Sequence, residues 1–480
     1  MKDSIKFGTD GWRGVIGDDF TFANVRRAAS AVAAYVRAKK MAERGLVVGY
    51  DTRFLSSEFA RAASEVIAAA GIPVVLADQP TPTPAVSFAV VERQAAGAVV
   101  ITASHNPARW NGFKFKAPYG GSASPAITRE IERRLNPAAR SAAAGFSHAS
   151  GRQSAIGNRQ SAIQVADLRQ PYLDRLKTMV RLDRVRASGR RFVADPMYGA
   201  ARGCLAALFE EAGIPCREIH SELNPLFPGL NPEPIEPHVA ELRAAVVSGG
   251  YDAGLATDGD ADRIGAIDRT GDFIDPHKIF SILLRHLAVD LGMRGEVVKT
   301  FSTTQMVDKL AKKYGLPLHI MPIGFKYVTA LMLERDILIG GEESGGIGIK
   351  GHLPERDGVL NSLLLAQVMA ERGKTLGEMV EELSREFGPH FYERVDLQME
   401  NALAARAVAR AKRLSRSRGI AGLRVTHIET LDGVKLFFGD AAWLLVRASG
   451  TEDLLRLYAE APSREQVKAL LDEMTAFANS

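Results

Sequence analysis

The sequence contains one structural pattern three times, in degenerate form: a helix that ends in glycine, an apolar residue, a proline and then an apolar strand. The three copies are Gly71-Ile72-Pro73, Gly213-Ile214-Pro215 and Gly315-Leu316-Pro317. In each copy the glycine suits a left-handed helix cap, and the proline follows where the helix cannot continue. A recurring unit of this kind predicts a chain built from related domains.

Each copy is followed by another predicted helix and a second apolar strand. These second strands are predicted over residues 96–101, 251–256 and 336–340. Because strands alternate with helices, we expect mixed, mainly parallel sheets that are covered by helices on both faces. The fold class is therefore α/β, with three related domains over residues 1–166, 167–270 and 271–388.

The pattern changes after residue 388 to a strand, a helix, several strands and a closing helix from Ser463. Asp432-Gly433 stands between two apolar runs, which is typical of a tight hairpin turn. We expect a smaller C-terminal α+β domain with an antiparallel sheet over residues 389–480.

The segment 137–165 is rich in Ala, Ser, Gly and Gln, and its run Arg152–Ile156 recurs as Arg159–Ile163. Because the segment has so few apolar residues to bury, their burial cannot offset the conformational entropy that the chain would lose on ordering. We predict a mobile insertion there, without chemistry.

The composition of the chain limits the class of protein and the kinds of partner that it can have. The chain has 480 residues, 46% of them hydrophobic, which is ample for several cores. We find no signal peptide and no apolar run long enough to span a bilayer, so a cytoplasmic protein without a membrane partner is expected. A net charge of +5, from 61 basic and 56 acidic residues spread along the chain, suits an anionic metabolite and not a nucleic acid. Two cysteines are too few for a disulfide framework.

Polar loops follow the second strand of each repeat, at the sheet edge where open α/β folds build their sites. The first loop, Thr102–Pro107, presents Ser104 beside His105, which makes Ser104 a candidate nucleophile. The alternative is a Ser/Asn-rich turn that hydrogen-bonds its own backbone.

The second loop places Asp258, Asp260 and Asp262 at a spacing of two, on one side of an extended segment. Three such carboxylates repel one another unless a cation holds them, and a set of three oxygen ligands suits Mg²⁺. An EF-hand is excluded, because Arg263 and Arg269 stand where that loop needs Gly and Glu. The alternative is a solvated acidic turn.

Two further loops suit a sugar and a phosphate. In the third repeat, Glu342 and Ser344 can bind neighbouring sugar hydroxyls, although glycine-rich acidic loops are also common as exposed turns. The C-terminal domain offers a phosphate cradle or, equally, an ordinary hairpin tip; the residues of this loop and the following strand are Arg447, Ser449, Gly450, Thr451 and Arg456.

Two more candidates lie in the first domain. The irregular run Phe7–Gly14 contains Thr9 and Arg13, and Arg13 is expected to reach toward an anion. Strand alternation sends Lys114 to the face opposite Phe113, where it would bind phosphate or move protons, unless it only marks a solvated strand edge.

Five of these motifs together resemble the α-D-phosphohexomutase superfamily, in the order of that family and over nearly the whole chain. They are FGTDGWRG, TASHNP, DGDADR, GEESGG and RASGTE. The resemblance implies four domains, three α/β and one smaller, around a central cleft.

The resemblance also implies residue roles. Ser104 would carry a phosphoryl group, and Mg²⁺ would be held by the three aspartates and a phosphoserine oxygen. Arg263 would sit near that phosphoryl group, while Lys114 and His105 would assist proton transfer. Glu342 and Ser344 would bind the sugar O3 and O4. The non-transferred phosphate would be held by Arg447, Ser449, Gly450 and Thr451, with Arg456 adding charge and with Thr9 and Arg13 in support.

The function so implied is interconversion of glucose 1-phosphate and glucose 6-phosphate through a hexose 1,6-bisphosphate, by a monomer or homodimer. A phosphomannomutase or a dual-specificity enzyme is the first alternative, followed by a phosphoglucosamine mutase, a metal-dependent sugar phosphatase and a non-catalytic sugar-phosphate binder.

The sequence departs from the family at three places. Gly346 ends the GEESGG loop where many relatives have His. Ala448 and Asp453 stand where many relatives have Pro. Arg356 replaces a Lys found in some phosphoglucomutases, and Arg is a poor proton donor because its pKa lies above about 12.

Overall fold

The computed structural model describes residues 5–8, 10–135, 162–414, 419–449 and 453–479. These residues form three α/β domains and a smaller C-terminal α+β domain, so the predicted fold class is confirmed. No helix in these ranges is long and apolar enough to cross a membrane.

The first domain is built on a six-stranded mixed sheet. Its strands are β1 Trp12–Val15, β2 Leu46–Tyr50, β3 Val74–Ala77, β4 Ala98–Ile101, β5 Trp110–Lys116 and β6 Ile163–Ala166. Its helices are α1 Phe22–Ala38, α2 Ser56–Ala69, α3 Thr83–Glu92 and α4 Pro125–Leu135, with a short 3₁₀ helix at Ala42–Arg44. The strand order is β1-β5-β4-β2-β3-β6, parallel from β4 to β6 and antiparallel at β5 and β1.

Strand β6 corrects one prediction. Its first three residues, Ile163–Val165, belong to the segment expected to be mobile, but they pair in parallel with Val74–Leu76. The edge strand forms because the open side of β3 offers it backbone hydrogen bonds, such as Val74 N–H to Ala162 O at 2.9 Å, which do not depend on apolar composition. Residues 137–161 of that segment lie outside the described residues.

The second domain has a five-stranded sheet in the order β11-β10-β9-β7-β8. Its strands are β7 Phe192–Asp195, β8 Cys216–Glu218, β9 Ala253–Thr257, β10 Ile264–Asp268 and β11 Phe273–Ile274. Its helices are α5 Arg169–Lys177, α6 Leu182–Ala187, α7 Cys204–Glu211 and α8 Ala240–Gly249. Strand β11 lies beyond the boundary predicted at residue 270, and the domain boundaries themselves remain predictions.

The third domain has a four-stranded sheet in the order β13-β12-β14-β15. Its strands are β12 Glu296–Thr300, β13 Leu318–Met321, β14 Ile337–Gly341 and β15 Ile347–Ile349. Its helices are α9 Pro276–Arg285, which continues as a π-helical turn at His286–Asp290, then α10 Met306–Tyr314, α11 Phe325–Glu334, α12 Gly358–Arg372 and α13 Leu376–Phe387. One hydrophobic core runs through the second and third domains, with α12 buried inside it.

The repeated glycine caps have the conformation that the sequence predicts. The φ angles of Gly71, Gly213 and Gly315 are +79°, +69° and +64°, in the left-handed region. In each repeat the second strand (β4, β9 or β14) pairs in parallel with the strand that precedes the glycine-capped helix (β2, β7 or β12), and the chain then turns into an antiparallel partner. The three polar loops lie at these turns, so they occupy equivalent places in three sheets.

The C-terminal domain packs two helices on an antiparallel sheet of order β16-β22-β21-β20-β19. The strands are β16 Phe391–Gln398, β19 His427–Glu429, β20 Val434–Phe437, β21 Trp443–Ala448 and β22 Leu454–Ala461, with β17 Gly419–Ile420 and β18 Leu423–Arg424 in a separate small hairpin. The helices are α14 Asn401–Ala411 and α15 Arg464–Asn479.

The C-terminal domain is joined to the third domain around one buried carboxylate, that of Glu460. Its Oε1 accepts hydrogen bonds from the indole of Trp443 at 2.9 Å and from the backbone N–H of Gln305 in the third domain at 3.0 Å. The Nδ1 atom of His390, in the segment that connects the two domains, lies 2.9 Å from the same oxygen. Burial would raise the pKa of Glu460, but its contacts with His277 and His390 hold that pKa well below the usual range.

We expect Glu460→Gln to weaken this junction, because the ionised acceptor of several buried hydrogen bonds becomes neutral. The free energy of unfolding should fall by about 1.5 to 3 kcal/mol, the value of a hydrogen bond to a charged group. Urea denaturation followed by circular dichroism measures it. The control is Glu393→Gln, an exposed glutamate on β16; equal effects of the two substitutions would contradict the assignment.

Candidate active site

Polar loops from all four domains line one cleft of about 850 Å³. Most of the described residues that the sequence singled out line it, namely Arg13, His105, Arg263, Glu342, Ser344, Arg447, Ser449 and Arg456. Ser104, Lys114 and the three aspartates are buried directly behind this lining. Thr9, Gly450 and Thr451 lie outside the described residues.

Ser104 joins the first domain to the second. Its Oγ donates a hydrogen bond to Asp258 Oδ2 at 2.7 Å, and its own N–H donates to Thr102 Oγ1 at 2.9 Å. Its φ of +55° lies in the left-handed region, which costs a non-glycine residue energy and is typical of functional turns. The loop is therefore held in a strained form with the hydroxyl directed at the acidic loop.

Arg53 fixes this strained loop, and the sequence analysis missed it. The buried guanidinium donates to the carbonyl oxygens of Ser104 and Asn106 at 2.6 Å each, and to those of Pro107 and Trp110 at 3.0 Å each. Its Nε pairs with Asp51 at 3.1 Å. The sequence did indicate Arg53 as a candidate, because Asp51-Thr52-Arg53 is itself a polar run directly after strand β2.

The three aspartates of the second domain form a compact, fully buried cluster. One ligand atom from each of Asp258, Asp260 and Asp262 lies within 4.8 Å of the others. Asp258 Oδ1 accepts hydrogen bonds from the backbone N–H groups of Asp262 at 2.9 Å and Arg263 at 3.1 Å, which hold the loop around it. The alternative of a solvated acidic turn is excluded.

This cluster fits a small divalent cation. In the described part of the chain, no hydrogen-bond donor reaches Asp260 Oδ1 or Asp262 Oδ1. Burial, together with the neighbouring charges of Asp262 and Asp260, raises the pKa of Asp258 well above its usual value. Hard oxygen donors that repel one another in a buried site are the ligands that Mg²⁺ prefers.

Lys114 bridges the first and second domains from inside the site. Its Nζ lies 2.8 Å from Asp260, 2.9 Å from Asp10 and 3.6 Å from Asp262, so the alternative of a solvated strand edge is excluded. Burial alone would lower the pKa of Lys114, but these carboxylates outweigh it and raise the pKa above the usual range. The ammonium group of Lys114 is thus buried between carboxylates of the first and second domains.

His105 and Arg263 both lie in the wall of the cleft. Burial, with Arg263 and Arg13 nearby, holds the pKa of His105 well below its usual value, because each of these effects disfavours the protonated imidazole. Arg263 Nη1 lies 3.4 Å from Glu233, and its Nε lies 3.9 Å from both Asp258 and Asp262.

Arg13 also reaches the serine loop, where its guanidinium donates to Asn106 Oδ1 at 2.7 Å. The sequence analysis placed Arg13 near an anion, and the structure places it against the neighbour of His105.

The loop of the third domain directs Glu342 into the cleft. Glu342 Oε1 accepts from the backbone N–H of Gly324 at 3.1 Å, and Oε2 accepts from Arg356 Nη1 at 3.1 Å. Burial raises the pKa of Glu342, and the guanidinium of Arg356 opposes that rise. Ser344 lies half-buried at the cleft wall, two residues along the same loop.

The C-terminal domain presents two arginines side by side. Arg447 and Arg456 are directly opposite in the β21–β22 ladder, an arrangement that repels unless an anion or carboxylates compensate it. Arg447 Nε pairs with Asp432 at 2.9 Å, and Arg456 Nε lies 3.6 Å from Asp396. With Ser449 at the end of β21, this edge of the domain suits a phosphate.

Several further cleft residues were missed by the sequence analysis as site residues. Asp10 pairs with Lys114 and with Arg356, the latter at 2.8 Å. Arg394 lies 3.8 Å from Glu343, and Lys326 lines the cleft from the start of helix α11. Asp10 stood beside Arg13 in a run already singled out, whereas Lys326 and Arg394 lie in an ordinary helix and strand with no local motif.

The chain matches models of four domains of one protein family, in order. The models are phosphoglucomutase/phosphomannomutase alpha/beta/alpha domain I over residues 4–141, domain II over 170–271, domain III over 275–387, and the C-terminal domain over 397–477.

Relatives match over nearly the whole length. A phosphoglucomutase/phosphomannomutase of Thermococcus kodakarensis is 30% identical over 466 residues, which cover 97% of this chain and 96% of the relative. A phosphoglucosamine mutase of Carboxydothermus hydrogenoformans is 31% identical over 493 residues, 98% of each chain. A crystal structure assigned to a phosphomannomutase of Thermus thermophilus has a TM-score of 0.85 at 37% identity and covers 99% of each chain.

Four domains whose polar loops share one cleft are the architecture of a phosphohexomutase, an isomerase-type enzyme that moves a phosphoryl group. Within the α-D-phosphohexomutase superfamily, the chain belongs to the phosphoglucomutase/phosphomannomutase family.

We expect Mg²⁺ binding to release protons and to weaken as pH falls. The pKa of Asp258 is raised by burial and by Asp262 and Asp260 in the metal-free protein, so protons compete more strongly with a bound cation for its carboxyl than for an ordinary Asp. Calorimetric titration in buffers of different ionisation enthalpy, at neutral and mildly acidic pH, measures both effects. Asp260→Asn should weaken binding, while Asp272→Asn, an exposed residue of the same domain, should not. Binding that is independent of pH and releases no proton would contradict this assignment.

Proposed function

We propose that the enzyme interconverts glucose 1-phosphate and glucose 6-phosphate through a phosphorylated Ser104 and a hexose 1,6-bisphosphate. The observation that supports this best is the 2.7 Å hydrogen bond from Ser104 Oγ to Asp258 Oδ2, because it joins the candidate nucleophile of one domain to the candidate metal ligands of another. Phosphoryl transfer depends on such positioning and on charge neutralisation more than on covalent chemistry by the protein.

In this proposal Asp258, Asp260 and Asp262 hold Mg²⁺ together with an oxygen of the phosphorylated Ser104. When bound, the metal neutralises charge on the transferred group. Arg263 and Lys114 contribute fixed positive charge from the two sides of the acidic loop, where both already contact its carboxylates.

In the transfer to the sugar, a sugar hydroxyl oxygen forms a bond to phosphorus as the P–O bond to Ser104 breaks. The hydroxyl loses its proton, and the leaving Ser104 Oγ takes one up. His105 is proposed to assist this proton transfer, because its imidazole lines the cleft beside Ser104. Lys114, whose Nζ lies 2.8 Å from Asp260, is proposed to assist this proton transfer and to donate a hydrogen bond to the transferred group.

The sugar is proposed to lie between the loops of the third and fourth domains. Glu342 and Ser344 bind hydroxyl groups O3 and O4, and Arg447, Ser449, Gly450, Thr451 and Arg456 hold the phosphate that is not transferred, with Thr9 and Arg13 in support. Because both ends of the bisphosphate must visit Ser104, the intermediate turns around inside the cleft before the second transfer.

Glucose phosphates are proposed as the preferred substrates, since the GEESGG loop resembles glucose-type loops. Phosphomannomutase activity is the second candidate, because the structural neighbour of 37% identity is assigned as a phosphomannomutase. Relatives named phosphoglucosamine mutase make glucosamine phosphate the third substrate to test.

We expect the purified protein to carry phosphate on Ser104 and to isomerise glucose 1-phosphate fastest among the glucose, mannose and glucosamine compounds. Intact mass before and after phosphatase treatment detects the phosphate, and coupled assays rank the substrates. Ser104→Ala should lose at least about a thousandfold in kcat, as for loss of a nucleophile. Ser87→Ala, another buried serine of the same domain, is the matched control.

Dependence on added hexose 1,6-bisphosphate separates a mutase from a phosphatase, which would release inorganic phosphate instead. Full mutase activity in Ser104→Ala would reject the proposed mechanism.

We expect Arg447→Lys to weaken substrate binding, because Lys cannot reproduce the paired hydrogen bonds of a guanidinium to phosphate. The loss should be about 1.5 to 3 kcal/mol, roughly ten- to a hundredfold in kcat/KM and mostly in KM. Steady-state kinetics measure it, with Arg424→Lys, exposed on β18, as the control. Kinetics equal to those of the parent would show that Arg447 belongs to an ordinary hairpin tip.

A further inference from the structure

Gly346 and Arg356, two of the departures from the family pattern, lie against each other and form one structural feature. A Cβ atom placed on Gly346 would lie 2.1 Å from Arg356 Cδ and 2.9 Å from Arg356 Cγ, which is far inside van der Waals contact. Gly346 does not have a left-handed φ, so its backbone does not itself require glycine. A side chain at position 346 would therefore require Arg356 to leave its observed position.

The guanidinium of Arg356 passes through this gap to the junction of three domains. Its Nη2 lies 2.6 Å from Asp262 Oδ2 and 2.8 Å from Asp10 Oδ2, and its Nη1 donates to Glu342 Oε2 at 3.1 Å. One planar group thus connects a candidate metal ligand, the N-terminal loop and the candidate sugar-binding carboxylate. Arg356 is 5% exposed and its side chain forms part of the cleft wall.

We propose that Arg356 is a positioning residue that fixes Glu342 relative to the acidic loop, and that the lack of a side chain at Gly346 leaves the space that Arg356 occupies. The inference rests on the proposed function. Since Glu342 is held by Arg356 on Oε2 and by Gly324 N–H on Oε1, the direction of its remaining lone pairs is set before a sugar enters. Through Arg356, the sugar hydroxyls that Glu342 binds are thereby positioned relative to the phosphoryl-transfer centre.

This role differs from simple charge compensation. A compensating cation would need only to lie near the carboxylates, and Lys would serve as well. The guanidinium instead contacts Asp262 and Glu342 through different nitrogen atoms, an arrangement that the single nitrogen of a Lys cannot reproduce. Because Arg does not release its proton near neutral pH, the acid that a His at position 346 could provide has no counterpart at position 356.

The test is a double-mutant cycle of the full-length enzyme: the parent, Gly346→His, Arg356→Ala and the double variant. Gly346→His alone should displace Arg356 and lose roughly a hundredfold in kcat/KM for glucose 1-phosphate. Arg356→Ala alone should lose roughly ten- to a hundredfold, mainly through a higher KM. In the double variant the new side chain fits the vacated space, so its kcat/KM should exceed that of Gly346→His by about tenfold.

Arg356→Lys separates positioning from charge. It keeps the cation without the fork, so its KM should remain at least about fivefold above that of the parent while its melting temperature stays close to the parent value. Should Gly346→His fail to fold, Gly346→Ala replaces it in the cycle, because a single Cβ already meets Arg356.

Two outcomes would overturn the inference: substitution effects that add within about twofold, or an Arg356→Lys enzyme with the parent's KM. Failure of the proposed function is distinguishable, because the parent would then isomerise none of the three hexose phosphates. The same cycle is in that case measured as binding of glucose 1-phosphate by calorimetry, where additive effects again reject the inference and strong coupling supports it.

Discussion

The structure depends on burying three carboxylates of one loop together. Asp258, Asp260 and Asp262 belong to the second domain, but the cations closest to them are Lys114 of the first domain and Arg356 of the third, besides Arg263 on their own loop. An isolated buried carboxylate is strongly unfavourable, so the acidic loop is stable only where neighbouring domains supply positive charge. The same contacts that allow the burial also bring the loops of three domains together.

The fourth domain is attached in a different way. It has its own hydrophobic core, and its junction with the third domain is centred on Glu460 and on the packing of Phe301 against Trp443 and Tyr458. Its paired arginines face the cleft, where the compensating carboxylates Asp396 and Asp432 lie at their sides and leave a cationic edge suited to a phosphate. A cationic edge on a domain with its own core is consistent with the proposal that the bisphosphate turns around without leaving the cleft.

Local pattern explains which residues could be predicted. The glycine caps, the apolar strands and the polar loops after them each depend on a few consecutive residues, so the sequence alone indicates three α/β repeats, an α+β domain, and Ser104, the aspartates and Glu342 as candidates. Arg53 obeyed the same rule and was missed, since Asp51-Thr52-Arg53 follows β2 just as the other loops follow their strands. Strand β6 was missed because a weakly apolar edge strand gains its stability from its neighbour's backbone.

What the sequence by itself determined was the type of domain, the order of the domains and the chemistry of each loop, because those follow from spacing and side-chain type. Only the tertiary structure decided how the loops act on one another: that Lys114 is buried among carboxylates, that burial and nearby arginines lower the pKa of His105, and that Arg356 fills the space beside Gly346. These properties depend on distances between residues far apart in the chain. Electrostatic shifts and steric exclusion operate over a few ångströms of space, which sequence separation does not measure.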